Sequence, residues 1–242
     1  MKSNSSTPGK LFLIPTTLGE GSWQEVLPVY VQQKISVLQD FIVENEKTAR
    51  RFIKEICPEK VQAELKIHTL NKFTEASELP QFLQACERGE DMGLMSEAGC
   101  PGIADPGAKI VQLAHQKNIQ VVPLVGPSSI LLAMMGSGLN GQNFSFHGYL
   151  PIDRNQRRNT LKQLERISLE NNQAQIFIET PYRNNALFSD LKRNLHNFTK
   201  LCIACELTLE TEYIKTKSIA EWKKEKPDLH KKPAIFIIQR FS

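Results

Sequence analysis

The sequence predicts an α/β protein with largely parallel strands, and three observations lead to this prediction. Short apolar runs of strand length alternate along the chain with segments that have the composition and caps of helices. No apolar run approaches the ~20 residues that a membrane-spanning helix needs. Of the 242 residues, 40% are hydrophobic and 23% are charged, which is typical of a globular protein with one large domain or two compact ones.

In the first half of the chain the apolar runs predict strands at 11–14, 39–43, 65–70, 92–95 and 119–125. Between them the sequence predicts three helices. They are 46–56 with Asn45 as N-cap, 78–87 with Ser77 as N-cap, and 108–116 with Asp105 as N-cap and Pro106 in its first turn.

In the second half, the run GPSS opens a short apolar helix at 130–135. Strands are predicted at 144–149, 175–179, 201–207 and 234–239, helices at 155–167 and 184–195, and an irregular basic stretch before the last strand. A boundary near 123–127 predicts an N-terminal domain over 1–123 and a C-terminal domain over 124–242.

Charge and cysteine content narrow the possible classes of function. The net charge of +4 is compatible with an RNA partner without requiring one. Cys202 and Cys205 lie three apart on a predicted strand and so point to opposite faces, which does not suit a zinc site. The histidines lack metal-ligand spacing, so we expect no metal. The odd number of cysteines and the lack of a secretory signal favour the cytoplasm and no membrane association.

The loop at 96–107, SEAGCPGIADPG, follows a buried strand and holds three glycines, two prolines and two acidic residues. Glycine permits positive φ and close approach of the backbone to a ligand, and proline makes a turn rigid. Ligands of open α/β sheets bind beyond the carboxyl ends of the strands. The chain has neither a GxGxxG run after the first strand, where IPTTLGE stands, nor a Walker loop. These residues alone predict a nucleotide-like ligand in an α/β cleft.

Five ordered runs carry a resemblance over roughly residues 10–240. They are SEAGCPGIADPG, VVPLVGPSS, SGLNGQNFSFHGYLP, IFIETPYR and CELTLETEY. In this order and spacing they resemble the tetrapyrrole-methylase superfamily, and within it the branch that methylates a cytidine 2′-hydroxyl of small-subunit (16S) ribosomal RNA.

The resemblance implies two α/β domains with S-adenosylmethionine in the cleft between them, a homodimer, and ribosomal RNA or the small ribosomal subunit as partner. Carried over by position, it implies cofactor contacts from the first domain at Thr17, Leu18, Ser96, Glu97, Ala98, Gly99, Pro101, Ile103 and Asp105. In the GPSS run and the second domain it implies contacts at Ser128, Ser129, Phe177, Glu179, Leu207, Pro233 and Ala234.

The chain departs from the family pattern on the first domain. After the second strand, where the branch has Glu-Asp-Thr-Arg, this chain has ENEK at 44–47. After the first strand, where the branch has Thr-Pro-Ile-Gly-Asn, this chain has TTLGE. In the long loop, Glu97 replaces Asp and Cys100 replaces Thr. The glycines and prolines of the loop at 96–107 are retained, whereas the residues on the face of the first domain that is expected to contact the substrate differ from the family pattern.

Acidic residues are the candidates for chemistry. Methyl transfer from a sulfonium needs alignment above all, and a ribose hydroxyl gains from a nearby base. Glu97 is the candidate general base, and Asp105 is either a second carboxylate of the site or only a helix cap. Glu179 and Arg183 lie at a strand exit, where a functional role and a structural salt bridge are both open.

Basic residues recur along the predicted helix at 155–167. They are Arg154, Arg158, Lys162 and Arg166, with Arg157 beside them, and this spacing gives one helix face. Such a face is either simply solvated or a contact for RNA phosphates. The leading hypothesis is an RNA ribose methyltransferase. The alternatives are a methyltransferase of a tetrapyrrole or another small molecule, and a cofactor-binding ribosome-assembly factor without turnover.

Overall fold

The computed structural model describes residues 7–71, 73–105 and 107–241. The chain divides into two compact units, one ending at Pro127 and the other beginning at Ser128. Within the described ranges, no helix combines the length and the apolar character needed to cross a membrane.

The first unit is built on a fully parallel five-stranded sheet. Its strands are β1 (Leu11–Ile14), β2 (Asp40–Val43), β3 (Lys66–Thr69), β4 (Met92–Met95) and β5 (Val121–Pro123), in the order β3-β2-β4-β1-β5. Every residue of β2 and β4 is buried, as expected for inner strands of a parallel sheet covered on both faces. The parallel sheet predicted from the sequence is confirmed in this unit.

The helices of the first unit are α1 (Trp23–Val26), α2 (Val29–Val37), α3 (Glu46–Ile56), α4 (Leu79–Phe82), α5 (Gln84–Glu87) and α6 (Ala108–Gln116). The bounds and the Asn45 cap of α3 are as predicted. The helix predicted at 78–87 is instead two short helices broken at Leu83, and Glu78 occupies the N-cap. The Ser77 hydroxyl donates to Glu75 instead of capping a helix, so that prediction was wrong. The segment that forms α1 and α2 is not predicted to be helical from its sequence.

The second unit has a mixed sheet. Its strands are β6 (Phe144–Tyr149), β7 (Ala174–Ile178), β8 (Lys200–Cys205), β9 (Tyr213–Ser218) and β10 (Ala234–Gln239), in the order β6-β7-β10-β8-β9. Only β6 and β7 pair in parallel, and the other three pairings are antiparallel. The expectation of largely parallel strands was therefore wrong for this unit. The short loop between β8 and β9 leaves no room for the crossover that a parallel pair requires.

The helices of the second unit are α7 (Ser129–Ser137), α8 (Arg154–Asn171), α9 (Asn184–Asn194) and α10 (Ile219–Trp222). The stretch after residue 207, predicted to be irregular, contains β9 and α10. Strand β9 lies at the edge of the sheet and includes Lys215 and Lys217. Lysines on an edge strand discourage pairing with other chains. They also interrupt the apolar run by which a strand is predicted from sequence.

Candidate functional site

The candidate site is built on the carboxyl ends of three adjacent strands in the first unit. Met95, the last residue of β4, pairs with Val43 of β2 on one side and with Ile14 of β1 on the other. The segments that follow these strands therefore emerge side by side. The N–H of Thr16 donates to the carbonyl oxygen of Gly99 at 3.0 Å, which ties the segment after β1 to the long loop after β4.

The long loop has the conformation that its glycines allow. Gly99 and Gly102 have φ values of +74° and +79°, and Ala104 also adopts a positive φ of +64°. A Cβ atom on Gly99 would lie 3.1 Å from Cδ2 of Leu18 and 3.3 Å from the carbonyl oxygen of Pro127. The positive φ and the tight packing together explain why glycine stands at position 99.

Three carboxylates lie close together where β2 and β4 end. Burial raises the pKa of Glu44, and the negative charge of Asp105 raises it further, while a backbone hydrogen bond from Glu97 lowers it. Burial also raises the pKa of Asp105, with a hydrogen bond from Ser96 opposing the shift and the charge of Glu97 adding to it. Among the described residues, Oε1 of Glu44 has no hydrogen-bond partner. Glu44 and Asp105 therefore favour the protonated form more than free carboxyl groups do.

Asp105 is not the N-cap predicted for α6. That position belongs to Gly107, which offers no side-chain cap, while Asp105 lies two residues earlier and interacts with Ser96 and Glu97. Pro106, predicted in the first turn, lies outside the described residues. Of the two roles left open for Asp105, the structure places it with the carboxylates.

A cleft of about 400 Å³ opens beside this acidic cluster. It brings together five of the predicted cofactor residues, namely Thr17, Leu18, Ser96, Glu97 and Ala98. Its other side is formed by α3, through Thr48, Arg51, Phe52 and Glu55, none of which the sequence analysis selected. Their spacing could have identified them, because residues at i, i+3, i+4 and i+7 share one face of a helix, and this helix directly follows a buried strand.

The remaining predicted residues of the first unit lie nearby. Pro101 and Asp105 line a smaller cavity together with Glu44, and Ile103 is 54% exposed. Cys100, where the family pattern has threonine, has its thiol directed at the carbonyl oxygen of Pro127 at 3.4 Å.

The departure at 44–47 is compatible with a well-formed helix start. Asn45 accepts hydrogen bonds from the backbone N–H groups of Lys47 and Thr48, and Glu46 pairs with Arg50 at 2.8 Å. The Glu44 carboxyl, which the chain shares with the family pattern, belongs to the acidic cluster.

The predicted residues of the second unit are placed in different ways. Ser128 is the N-cap of α7, accepting from the N–H of Leu131, and Ser129 is the first residue of that helix. Leu207 and Ala234 are nearly buried at the neighbouring ends of β8 and β10, where Ala234 pairs with Cys205, and Pro233 is exposed.

Two residues of the second unit have structural partners. The ring of Phe177 is fully buried and stacks on Phe236 with centroids 6.1 Å apart, so the side chain belongs to the core. Its prediction as a cofactor contact therefore applies only to its backbone. The buried Glu179 accepts from Arg183 Nη2 at 2.5 Å, which is the structural salt bridge that the sequence had left open.

The basic residues of α8 fall into two groups. Arg154, Arg158, Lys162 and Arg166 are exposed, and we call these four the α8 basic face. Arg157 is only 11% exposed and bonds through Nε and Nη2 to Asp190 of α9. Its Nη1 donates to the carbonyl oxygens of Pro151 and Ile152. Arg157 therefore anchors α8 to α9 and is not available for RNA, which corrects its inclusion among the phosphate contacts.

Comparison with curated proteins gives relatives that share one name, although no family model matches the chain. The chain is 32% identical over 173 residues to ribosomal RNA small subunit methyltransferase I of Buchnera aphidicola subsp. Schizaphis graminum, covering 70% of this chain and 59% of that protein. It is 26% identical to the protein of the same name from Escherichia coli O157:H7, covering 98% of this chain and 80% of the relative. It is 28% identical to the protein of that name from Vibrio cholerae, covering 91% of this chain and 74% of the relative.

Solved structures of the same architecture are more distant in sequence. The methyltransferase CobJ superposes with a TM-score of 0.64 at 14% identity, covering 96% of this chain and 94% of that one. Diphthine synthase superposes with a TM-score of 0.65 at 15% identity, covering 96% of this chain and 90% of that one. The cobalt precorrin-4 methyltransferase CbiF gives 0.60 at 11%, covering 95% and 94%. These likenesses establish the fold.

Proposed function

We propose that the protein methylates small-subunit ribosomal RNA with S-adenosylmethionine as donor, because the chain is similar over nearly its whole length to proteins named ribosomal RNA small subunit methyltransferase I and has the tetrapyrrole-methylase fold. The acceptor we propose is a ribose 2′-hydroxyl. The observation that carries the proposal is the glycine-rich loop after β4, which lies beside the cleft in a chain related to these proteins over 98% of its length. The shared name of the curated relatives favours this function over a small-molecule acceptor or a factor without turnover.

The first unit offers a suitable environment for the donor. The positive φ of Gly99 and the lack of room for a Cβ there bring the backbone of the loop close to whatever lies against it. The carboxylate of Glu97 favours a ligand that carries sulfonium and ammonium charges, and such a ligand would also favour the charged form of Asp105. Thr17, Leu18, Ser96 and Ala98 supply hydroxyl and apolar contacts around it. The second-unit contacts at Ser128, Ser129, Leu207, Pro233 and Ala234 stay part of the proposal on the family resemblance.

S-adenosylmethionine would supply an already activated methyl group, so the protein's main task is alignment, which is worth ~7–11 kcal/mol in favourable cases. Glu97 lies on the cleft and is the proposed acceptor of the hydroxyl proton. The α8 basic face is the proposed contact for RNA phosphates, without Arg157. We further propose that the protein acts in the cytoplasm, where its substrate is found, and as a homodimer.

The test is transfer of a tritiated methyl group to ribosomal RNA from a strain that lacks the gene, followed by mapping of the labelled nucleotide. We expect one labelled ribose in the small-subunit RNA, and no labelling of RNA from the parent strain. Labelling of a base or of a tetrapyrrole instead of a ribose would replace the proposed acceptor. Binding of the donor with no transfer to RNA or to assembled subunits would refute the proposal.

A further inference from the structure

The cleft of the first unit has one wall that the proposed cofactor contacts leave unexplained. Residues after β1 and β4 form the wall assigned to the donor, whereas Thr48, Arg51, Phe52 and Glu55 of α3 form the other. We call these four residues the α3 wall. The opposite face of α3 is fixed in the core through the fully buried Ile53 and Ile56, so the α3 wall is held on a packed helix.

Thr48 connects the two walls. Its Oγ1 lies 2.5 Å from Oε1 of Glu97 and 3.1 Å from the backbone oxygen of Asn45. A hydroxyl has a single proton to donate, and the shorter contact to a charged acceptor takes it. Oε1 of Glu97 therefore accepts from Thr48, and the second carboxylate oxygen can accept a further hydrogen bond.

The charges around the cleft indicate which part of the acceptor enters it. Glu20, Glu55 and Glu97 line it against a single arginine, Arg51, whose Nη1 lies 3.9 Å from Glu20. This negative excess disfavours a phosphate inside the cleft. Threonine hydroxyls, carboxylates and the ring of Phe52 suit an uncharged group with hydroxyls and amino donors, such as a nucleoside.

We propose that the α3 wall receives the nucleoside of the methyl acceptor, and that Thr48 is a positioning residue that holds the Glu97 carboxylate toward it. This inference rests on the proposed function. The second oxygen of Glu97 would take the proton of the acceptor hydroxyl, and S-adenosylmethionine, when bound, would supply the methyl group to that hydroxyl oxygen and keep its sulfur as a neutral thioether. Thr48 keeps its own proton throughout.

The test compares Thr48→Val, which has nearly the same shape without the hydroxyl, with Thr48→Ser, which keeps it. With ribosomal RNA as acceptor, we expect Thr48→Val to lower kcat about 10- to 100-fold, a part of the roughly 10²–10⁴ that a positioned base contributes. Thr48→Ser should recover kcat to within about threefold. Donor affinity, measured by calorimetry, should fall by much less than kcat in Thr48→Val, because Thr48 meets the proposed donor contacts only through Glu97, whose charge both variants keep.

The chain offers a matched control in the second unit, where the Thr199 hydroxyl donates to Glu165. Thr199→Val breaks the same kind of bond and should lower thermal stability with kcat unchanged. A second measurement is a double-mutant cycle with Glu97→Gln. If Thr48 acts through Glu97, Thr48→Val should add little to the loss caused by Glu97→Gln.

Three outcomes overturn the inference. The first is a Thr48→Val variant with the kcat of the wild type. The second is a Thr48→Ser variant whose kcat is no higher than that of Thr48→Val. The third is a double variant in which the kcat losses from Thr48→Val and Glu97→Gln add. A wild-type protein that binds the donor but methylates no RNA refutes the proposed function itself, and the inference with it. The wild-type reaction therefore distinguishes the two failures.

Discussion

At the scale of single residues, the site depends on a few positions where the backbone or a carboxyl group is under constraint. Gly99 combines a φ of +74° with neighbours on two sides, and Glu44 has a carboxyl oxygen near Asp105 that finds no hydrogen-bond partner in the part of the chain that the structure describes. Each constraint leads to a test of its own.

Gly99→Val should abolish binding of S-adenosylmethionine. A left-handed backbone costs a non-glycine residue roughly 1–2 kcal/mol, and a β-branched side chain also meets Leu18 and the Pro127 carbonyl. Calorimetry measures the affinity, and thermal unfolding checks that the variant is folded. The control is Gly141→Val, because nothing lies within 4 Å of a Cβ there. Unchanged affinity in a folded Gly99→Val variant would show that the loop does not approach the donor.

Glu44→Gln should stabilise the protein at neutral pH. Burial raises the pKa of Glu44 above its ordinary value of 4.5, so the folded state favours the protonated form. The stability from this group is therefore fully present below that ordinary value and is lost as pH rises through the raised pKa. Glutamine has no proton to lose, so the advantage of the variant should grow from about pH 4 to pH 7.

Urea unfolding at a series of pH values measures this difference. Glu46→Gln is the control, because Glu46 is an exposed partner of Arg50 and its loss should cost no more than about 0.5 kcal/mol. A Glu44→Gln variant that is less stable than the wild type at pH 7 would show that the charged carboxylate is well accommodated in the fold.

At the scale of elements, α8 separates a structural arginine from an exposed basic face. Arg157 is buried against Asp190, whereas the exposed Arg154 lies 3.7 Å from the other oxygen of the same carboxylate and the exposed Arg166 lies 3.8 Å from the exposed Glu170. The four residues of the α8 basic face are therefore available to phosphates, while Arg157 serves the packing of α8 on α9.

Changing Arg158 and Lys162 together to Gln should weaken the salt dependence of RNA binding. Each phosphate contact on a single strand contributes about −0.7 to the slope of log affinity against log salt, so two lost contacts should flatten it by roughly 1.4. Titrations of RNA at several salt concentrations measure the slope. Donor affinity should change by no more than about twofold.

The control for this element is the pair Lys223 and Lys224, changed to Gln in the same way. Lys223 already donates to Asn197 at 2.6 Å, and we expect changing this pair to alter the slope of log affinity against log salt less than the Arg158 and Lys162 variant does. An unchanged slope in the Arg158 and Lys162 variant would mean that the α8 basic face is only solvated.

At the scale of the whole molecule, the proposed assembly is a two-fold homodimer. The family resemblance motivates it, and closed symmetric dimers are the commonest oligomers. Light scattering at micromolar concentration should give twice the 27.4 kDa of a single chain. A mass of one chain across that range would exclude a stable dimer.

The sequence by itself determined the features that depend on neighbouring residues. The first-unit strands, the bounds and cap of α3, and the strained glycine loop follow from local composition and backbone sterics, and the α/β class follows from their alternation. Ordered motifs in both halves of the chain predicted the resemblance to the family, and curated proteins named ribosomal RNA small subunit methyltransferase I are similar to this chain over nearly its whole length.

Only the tertiary structure decided the features that depend on contacts between distant segments. Strand pairing made the second sheet mostly antiparallel, because pairing partners are chosen across the sheet and not along the chain. Packing assigned Phe177 to the core, Arg157 to Asp190 and Asp105 to the acidic cluster, although each residue type also suits a ligand site. The Thr48–Glu97 bond joins residues 49 positions apart, and only the parallel neighbours β2 and β4 bring them together.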